Sequence, residues 1–276
     1  MKILITGARG QLATALTQTY RKIGEIRAYS RAELDITDLD SVMRRAREDR
    51  PRVIINCAAY NHVDAAEDHA EQALSVNAFG VRVLARAAAD IGAALVHYST
   101  DFVFDGKAAH PYVEEDVPNP QSVYAQSKLV GEWFAVEAPR AYVLRVESLF
   151  GGPNAKSSID RIIEAIREGK ETRIFSDRTV SPSYVSDVCV ATLAVIELGE
   201  PGLYHCVSTG YATWYEVAEE IARLTGRQRD ARLIPVSVSD VQLRAPRPKF
   251  AALSNEKLRQ LVPMPTWQDA LRRYLA

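Results

Sequence analysis

The sequence predicts an α/β fold, a doubly wound parallel sheet followed by a smaller mixed C-terminal domain. Short apolar runs alternate with stretches of helical period through the first half of the chain, which is typical of a parallel sheet covered by helices. The first apolar run ends in a glycine turn that opens directly into a helical pattern. The alternation weakens after residue 145, so we expect residues 1–150, joined by 180–200, to form the sheet domain. Residues 151–276 are expected to form a substrate-binding domain, with the active cleft between the two.

Five apolar runs are the strand candidates of the first half. They cover residues 2–6, 26–29, 53–56, 95–99 and 142–146. Between the third and fourth runs, a helical pattern with a spacing of three or four extends from Ala70 to Ala88. Gly92 and Gly169 stand where helical patterns stop, as glycine commonly does after the last turn of a helix.

The second half predicts four more helices, over residues 158–168, 187–197, 213–224 and 267–274. The second of them ends before Gly-Glu-Pro-Gly at residues 199–202. Residues 244–248, Arg-Ala-Pro-Arg-Pro, predict an ordered loop, because proline fixes φ and removes a backbone donor.

The composition is that of an ordinary globular protein. Of 276 residues, 47% are hydrophobic and 25% are charged, and a net charge of -1 gives no basic field that would attract nucleic acid. No apolar run approaches the roughly 18 residues of a membrane span. Cys57, Cys189 and Cys206 are far apart and form no CxxC pair, so they indicate reduced thiols, with no metal site. We therefore expect a cytoplasmic protein without nucleic-acid or membrane partners.

The turn GARGQLA at residues 7–13 has the features of a dinucleotide-binding turn. A strand that ends in Gly-x-x-Gly and opens into a helix presents backbone N–H groups and the positive end of the helix to a pyrophosphate. The third glycine of such fingerprints serves helix-to-strand packing, so Ala13 in that position leaves phosphate binding intact. The turn predicts a Rossmann-type site, although a plain tight turn would contain the same glycines.

The residues after the second predicted strand indicate which dinucleotide binds. In NAD-binding proteins of this architecture, an acidic residue near the end of that strand binds the adenosine ribose. Here residues 28–31 read Ala-Tyr-Ser-Arg, and the first carboxylate is Glu33. A ribose 2′-phosphate would meet Ser30 and Arg31, and Arg9 could approach it from the turn. We predict NADPH as the preferred cofactor and NADH as a weaker one; the alternative is that both arginines are solvated surface charges.

Thr100, Tyr124 and Lys128 are the candidate catalytic residues. Thr100 follows the fourth predicted strand, at the edge where ligands bind in an open α/β sheet. Tyr124 and Lys128 are four residues apart on a predicted helix and therefore share one face. A neighbouring ammonium would lower the pKa of the tyrosine from its ordinary value of about 10. Together the three groups could move a proton at a substrate oxygen while a cofactor moves a hydride.

The motifs TGARGQLA, NCAAY, STDFVFDG and YAQSKLVGE resemble the extended short-chain dehydrogenase/reductases, and within them the dTDP-4-dehydrorhamnose reductase family. SPSYVSDV and GLYHCVSTGYATWYEVA resemble the second half of that family, so the resemblance covers nearly the whole chain. It implies an NADPH-dependent reductase of a nucleotide-linked 4-keto-6-deoxyhexose. The expected reaction converts dTDP-4-dehydro-L-rhamnose to dTDP-L-rhamnose, in a monomer or a homodimer.

The resemblance also implies residue roles. Tyr124 is similar to the proton donor, Lys128 to the lysine that binds the nicotinamide ribose, and Thr100 to the hydroxyl that orients the sugar ketone. The residues predicted to bind the cofactor are Gly7, Arg9, Gly10, Gln11, Leu12, Ser30, Arg31, Asp35, Ile36, Cys57, Ala58, Ala59, Tyr60, Ser99, Tyr124 and Lys128. The residues predicted to bind the substrate are Asn61, Val63, Asp101, Phe102, Glu147, Ser148 and Arg247.

Arg247 is predicted on the chemistry of its loop. Arg244, Arg247 and Lys249 lie near prolines that stiffen the segment, and a guanidinium can grip a diphosphate through forked hydrogen bonds. The alternative is that this is only a solvated basic loop.

Two segments depart from the family pattern. RVESLFG at residues 145–151 stands where RTSWVYG is usual, so a tryptophan that packs on the sugar is absent, and YNHVD at residues 60–64 stands where AYTAVD is usual. Both would face the sugar, which keeps open another nucleotide-sugar reductase or epimerase of the superfamily. A further alternative is a non-catalytic subunit like the one that regulates methionine adenosyltransferase, which the presence of Thr100, Tyr124 and Lys128 disfavours.

Overall fold

The helices and strands follow the predicted alternation in the computed structural model, which describes residues 1–153 and 156–276. The strands are β1 (Lys2–Thr6), β2 (Glu25–Tyr29), β3 (Val53–Asn56), β4 (Ala94–Thr100), β5 (Ala141–Val146), β6 (Leu149–Phe150), β7 (Thr172–Phe175), β8 (Thr179–Val180), β9 (Ser183–Tyr184), β10 (Gly202–His205), β11 (Ala212–Thr213) and β12 (Leu233–Val236). The helices are α1 (Gln11–Tyr20), α2 (Leu39–Asp49), α3 (Ala70–Leu74), α4 (Gly80–Ile91), α5 (Val123–Ala135), α6 (Ser158–Arg167), α7 (Val185–Leu198), α8 (Trp214–Leu224), α9 (Glu256–Arg259) and α10 (Trp267–Leu275). The five predicted strands are β1 to β5, and the four helices predicted for the second half are α6, α7, α8 and α10.

A parallel sheet of six strands, in the order β10-β5-β4-β3-β1-β2, forms the centre of the fold. The chain leaves β1 for one edge through β2 and then returns to the other side of β1 with β3. The crevice at the carboxyl ends of β1 and β3 is therefore the point at which strand order reverses, where open α/β sheets bind ligands. The α/β fold with a doubly wound parallel sheet is confirmed; the sixth strand, β10, was not predicted.

The two faces of the sheet are buried against different helices. Side chains alternate along a strand, so Ile3 and Ile5 face one side while Leu4 faces the other. The first side packs on α1 and α7, where the Tyr20 hydroxyl donates to the Cys189 carbonyl at 2.6 Å. The second side packs on α2, α4 and α5. The sheet thus has a core on each face, and the second half of the chain contributes α7 and β10 to it.

The second half has a third core of its own. It is formed mainly by α6, α8 and α10, whose largest buried side chains include Trp214 and Trp267. The division into domains at residue 150 stays a prediction. Within residues 1–153 and 156–276, no helix combines the length and apolar character needed to cross a membrane.

The helix predicted over residues 70–88 is interrupted. One turn of π-helix, Ser75–Phe79, separates α3 from α4. Gly92 ends α4 with a φ of +68°, and Gly169 follows α6 with a φ of +65°, as their positions in the sequence predicted.

Candidate active site

The glycine turn fits tightly against the end of β3. Gly7 has a φ of +68°, and a Cβ at this position would lie 2.8 Å from backbone atoms of Cys57 and Ala58. The Gly10 N–H donates to the Gly7 carbonyl at 2.8 Å, and no side chain caps α1 at Gly10. The first N–H groups of α1 are thereby left for an anion. Ala13 is fully buried in the core, which agrees with a packing role for the third position of the fingerprint.

Replacing Gly7 with alanine is expected to lower the unfolding temperature by roughly 4 °C or more, because the new methyl group overpacks the turn against β3. The turn would also move away from its phosphate-binding position, so NADPH should bind about tenfold more weakly. Gly92→Ala is the matched control: Gly92 has the same φ of +68°, but a Cβ there would meet nothing within 4 Å. Thermal unfolding and NADPH titration measure both effects, and equal losses in the two variants would contradict this account.

A cavity of about 1120 Å³ extends from the glycine turn along the ends of β1 and β2. It brings together many of the residues predicted to bind the cofactor, which are Gly7, Arg9, Gly10, Ser30, Arg31, Asp35, Ile36, Cys57, Ala58, Ala59 and Tyr60. Asn61, predicted to face the sugar, also lines this cavity and the neighbouring one.

Carboxylates engage the residues predicted to meet a 2′-phosphate. The Ser30 N–H and hydroxyl both donate to Glu33, at 2.8 and 2.6 Å. These bonds, with the nearby charge of Arg9, lower the pKa of Glu33. Arg31 is largely exposed and forms an ion pair with Asp35 at 3.3 Å. Glu33 therefore occupies the Ser30 donors of this site, a contact that the sequence analysis missed.

A second cavity of about 400 Å³ adjoins the first and shares the wall formed by residues 57–59 and Asn61. It holds the three candidate catalytic residues, Thr100, Tyr124 and Lys128. The other predicted residues that line it are Gly10, Gln11, Leu12, Val63, Ser99, Asp101, Phe102 and Ser148. Gln11 also donates to the Gly151 carbonyl at 2.8 Å, which connects the glycine turn to the segment that follows β5.

The start of α5 explains why Tyr124 and Lys128 reach this cavity. Ser122 caps the helix by accepting from the Ala125 N–H, so the helix begins at Val123 and both side chains share one face. The Lys128 ammonium is buried and donates to the Tyr98 carbonyl on β4 at 2.5 Å. Burial lowers the pKa of Lys128 to about 8.

Tyr124 keeps its proton in this environment. Burial and the charge of Asp101 raise the pKa of its hydroxyl, while a hydrogen bond with Thr100 opposes them. The expectation that Lys128 lowers the pKa of Tyr124 is wrong for the protein alone, because the ammonium is directed at the Tyr98 carbonyl. A protonated phenol is the state that a proton donor requires.

Asn77 is a buried polar residue behind the site, within the helical pattern predicted from Ala70 to Ala88. It lies in the π turn, where its amide accepts from the Tyr60 N–H at 2.8 Å and donates to the Tyr60 carbonyl at 3.0 Å. It also donates to the Ser127 hydroxyl at 2.9 Å, and Ser127 precedes Lys128 on α5. Asn77 thus ties the segment beneath the cofactor cavity to the catalytic helix. A polar residue in an apolar stripe was the available signal.

Three charged side chains meet beside Thr100. The Thr100 hydroxyl donates to Asp101 at 2.9 Å, and Glu147 accepts from the Ser181 N–H at 2.7 Å. Both carboxylates are almost fully buried, and Arg178, which lines the second cavity, carries a charge that interacts with each. Burial raises the pKa of Asp101 to about 6, and burial together with Asp101 raises that of Glu147. Arg178 was not predicted.

Two of the predicted substrate residues do not line either cavity. Glu147 lies behind the wall, in contact with the loop that holds Ser181. Arg247 donates to Asp64 at 2.7 Å and to the Ala245 carbonyl at 2.8 Å, and its guanidinium carbon lies 5.8 Å from the centre of the Phe102 ring. Its role in binding a diphosphate stays a prediction.

The comparisons with known proteins agree with this geometry. Residues 1–276 match the family described as RmlD substrate binding domain. The dTDP-4-dehydrorhamnose reductase of Mycobacterium tuberculosis (strain ATCC 25618 / H37Rv) is 37% identical over 284 residues, which cover 100% of this chain and 92% of the relative.

Two solved dTDP-4-dehydrorhamnose reductases superpose on the whole chain. The structure from Clostridium acetobutylicum ATCC 824 has a TM-score of 0.94 and 35% identity, and covers 100% of this chain and 98% of its own. The structure from Bacillus anthracis str. Ames, in complex with NADP, has a TM-score of 0.94 and 33% identity, with 99% and 98% covered. The chain therefore belongs to the RmlD substrate-binding family, the dTDP-4-dehydrorhamnose reductases among the extended short-chain dehydrogenase/reductases.

Proposed function

We propose that the protein reduces the C4 ketone of a nucleotide-linked 4-keto-6-deoxyhexose, converting dTDP-4-dehydro-L-rhamnose to dTDP-L-rhamnose with NADPH as the hydride donor. The observation that carries this proposal is the convergence of Thr100, Tyr124 and Lys128 in one cavity that adjoins the glycine turn. A reductase needs a proton donor, a group that holds the ketone and a dinucleotide site side by side, and these residues supply all three.

The residues present fit a dinucleotide. A pyrophosphate with a nucleoside on each side would match three features: Gly7 without a Cβ, the uncapped start of α1, and the two adjoining cavities that hold Ser30 and Lys128. Lys128 would hold the ribose near the nicotinamide, and the shared wall at residues 57–59 would lie beneath the cofactor.

Three groups of the protein would take part in the reaction: the hydroxyls of Thr100 and Tyr124 and the ammonium of Lys128. Thr100 would hold the sugar ketone oxygen, and its side chain already hydrogen-bonds both the Phe102 N–H and Asp101. Tyr124, protonated at neutral pH, would deliver its proton to the oxygen that becomes the C4 hydroxyl. Lys128, four residues further along the same face of α5, would favour that transfer through its positive charge.

The decisive test offers NADPH and a small panel of nucleotide-linked 4-ketosugars to the purified protein and follows the loss of NADPH absorbance. Reduction of dTDP-4-dehydro-L-rhamnose, with dTDP-L-rhamnose identified by NMR, is the expected result. An epimerised product without net NADPH loss would favour an epimerase. No turnover with any sugar, together with copurification of another protein, would favour the non-catalytic subunit.

Glu33 is expected to moderate the preference for NADPH. Its carboxylate holds the Ser30 donors, and its negative charge would repel a 2′-phosphate bound beside them. Glu33→Gln should therefore raise the ratio of NADPH to NADH affinity about fivefold. Titration of both cofactors measures the ratio, and Glu25→Gln, an exposed carboxylate at the far end of β2, is the control. A ratio unchanged by Glu33→Gln would contradict this role.

We also infer that the protein works in the cytoplasm, as a monomer or a homodimer. The support for the cytoplasm is its free thiols, two of them buried in the core beside the sheet, since such thiols persist in a reducing compartment. The oligomeric state stays a prediction.

A further inference from the structure

The charged cluster of Asp101, Glu147 and Arg178 contains polar atoms that the protein itself does not pair. Within the described parts of the chain, Oδ2 of Asp101, Oε1 of Glu147 and Nε of Arg178 are buried and lack a hydrogen-bond partner. A buried polar atom without a partner is unfavourable, so three of them in one place call for an explanation. A polar ligand at this end of the cavity supplies one.

Arg178 is the member of the cluster placed to meet such a ligand directly. Its guanidinium carbon lies 5.3 Å from the centre of the Phe102 ring, and both side chains line the second cavity. Asp101 lines the same cavity, while Glu147 stands behind it and holds the Ser181 N–H. Burial lowers the pKa of Arg178, and the two carboxylates oppose this effect because each attracts the charge of the guanidinium.

The position of the cluster selects one part of the sugar. Asp101 follows Thr100 directly and accepts from its hydroxyl, so the cluster borders the place proposed for the ketone. The two neighbours of C4 in a 6-deoxyhexose differ: C3 carries a hydroxyl, and C5 carries an apolar methyl group. A charged cluster with unpaired donors and acceptors suits the C3 hydroxyl, which can both donate and accept. A methyl group in the same place would leave the polar atoms of the cluster unpaired.

We propose that Arg178 is a specificity-determining residue, which with Asp101 binds the C3 hydroxyl of the sugar, while Glu147 positions Arg178 from behind the cavity wall. The site thereby selects 4-ketosugars that carry this hydroxyl. This inference rests on the proposed reduction of a 4-ketosugar. A site built to pair a substrate hydroxyl rejects an analogue that lacks it, because its own polar groups then stay buried and unpaired.

The experiment compares kcat/KM for dTDP-4-dehydro-L-rhamnose with those for its 3-deoxy and 2-deoxy analogues. The wild type should prefer the parent to the 3-deoxy analogue by about 100-fold or more, and to the 2-deoxy analogue by much less. Arg178→Gln should reduce the first preference to about fivefold or less, because the parent loses its partner. Glu147→Gln, which keeps its size and its acceptor for the Ser181 N–H, should reduce the same preference. Arg173→Gln, an exposed arginine on β7, should retain it.

Each outcome bears on the inference in a defined way. Equal use of the parent and the 3-deoxy analogue by the wild type would overturn it while leaving the proposed reductase intact. A uniform loss with all three sugars in Arg178→Gln would also overturn it, since a merely structural residue changes every rate alike. Absence of turnover with the parent, despite normal NADPH binding, would overturn the proposed function and the inference together.

Discussion

Tyr124→Phe is expected to lower kcat for sugar reduction by about 10³-fold, because the variant retains the aromatic ring and loses only the hydroxyl that donates the proton. The ring of Tyr124 packs edge-on against Phe102 at 5.8 Å, and this contact persists in phenylalanine. NADPH affinity and the unfolding temperature should therefore change little. Steady-state kinetics at saturating NADPH, with thermal unfolding, measure the difference.

Tyr142→Phe is the matched control for this variant. Tyr142 is another buried tyrosine, on β5, whose hydroxyl lies 3.5 Å from the Gly199 carbonyl and away from both cavities. It should leave kcat unchanged. A Tyr124→Phe protein that reduces sugar at more than a tenth of the wild-type rate would show that another group donates the proton.

Lys128→Met is the second variant with a large expected effect. It removes the ammonium that would bind the ribose and stabilise the phenolate, so kcat/KM should fall by about 10²- to 10³-fold and NADPH should bind more weakly. Lys107→Met, which removes a largely exposed ammonium beside Asp105, is the control and should match the wild type. Unaltered kinetics in Lys128→Met would exclude a role for this charge.

The dependence of the reaction rate on pH should also report the charge of Lys128. Burial lowers the pKa of Lys128 from its ordinary range to about 8, so its charge is present below that pH and is lost as the pH rises through it. The wild-type rate at saturating NADPH should therefore fall on the alkaline side near pH 8, and that limb should vanish in Lys128→Met. A limb that survives the substitution would belong to a different group.

Local patterns explain which parts of the fold the sequence predicted. Strands β1, β3 and β4 are recognisable because each is a mostly apolar run, buried on both faces of a parallel sheet. The edge strand β2, Glu-Ile-Arg-Ala-Tyr, is partly exposed and gives a weaker signal. Strand β10, Gly-Leu-Tyr-His, is only four residues long and owes its place to pairing with β5. The two-residue strands of the second half are too short to show a period in the sequence. Their pairing partners also lie far along the chain, so no local signal indicates them.

The site divides in the same way. The glycine turn and the spacing of Tyr124 and Lys128 are local signals, so the sequence indicated them. Arg178 meets Asp101 and Glu147 only when three distant segments pack together, and Glu33 matters because its carboxylate folds back on Ser30. These contacts depend on tertiary placement, which residue spacing does not encode.

The π turn at Ser75–Phe79 fixes the position of Asn77 relative to the catalytic helix. A π turn is wider than an α turn, with poorer packing around its axis, and it is kept mostly where a functional group needs it. Here the extra width sets the phase between α3 and α4 so that the Asn77 amide meets both backbone groups of Tyr60. Removing one residue would restore a regular helix and rotate that amide away by about 100°. The shortened protein would lose the hydrogen bonds of Asn77 to Tyr60 and Ser127, and with them the link between the cofactor cavity and the catalytic helix.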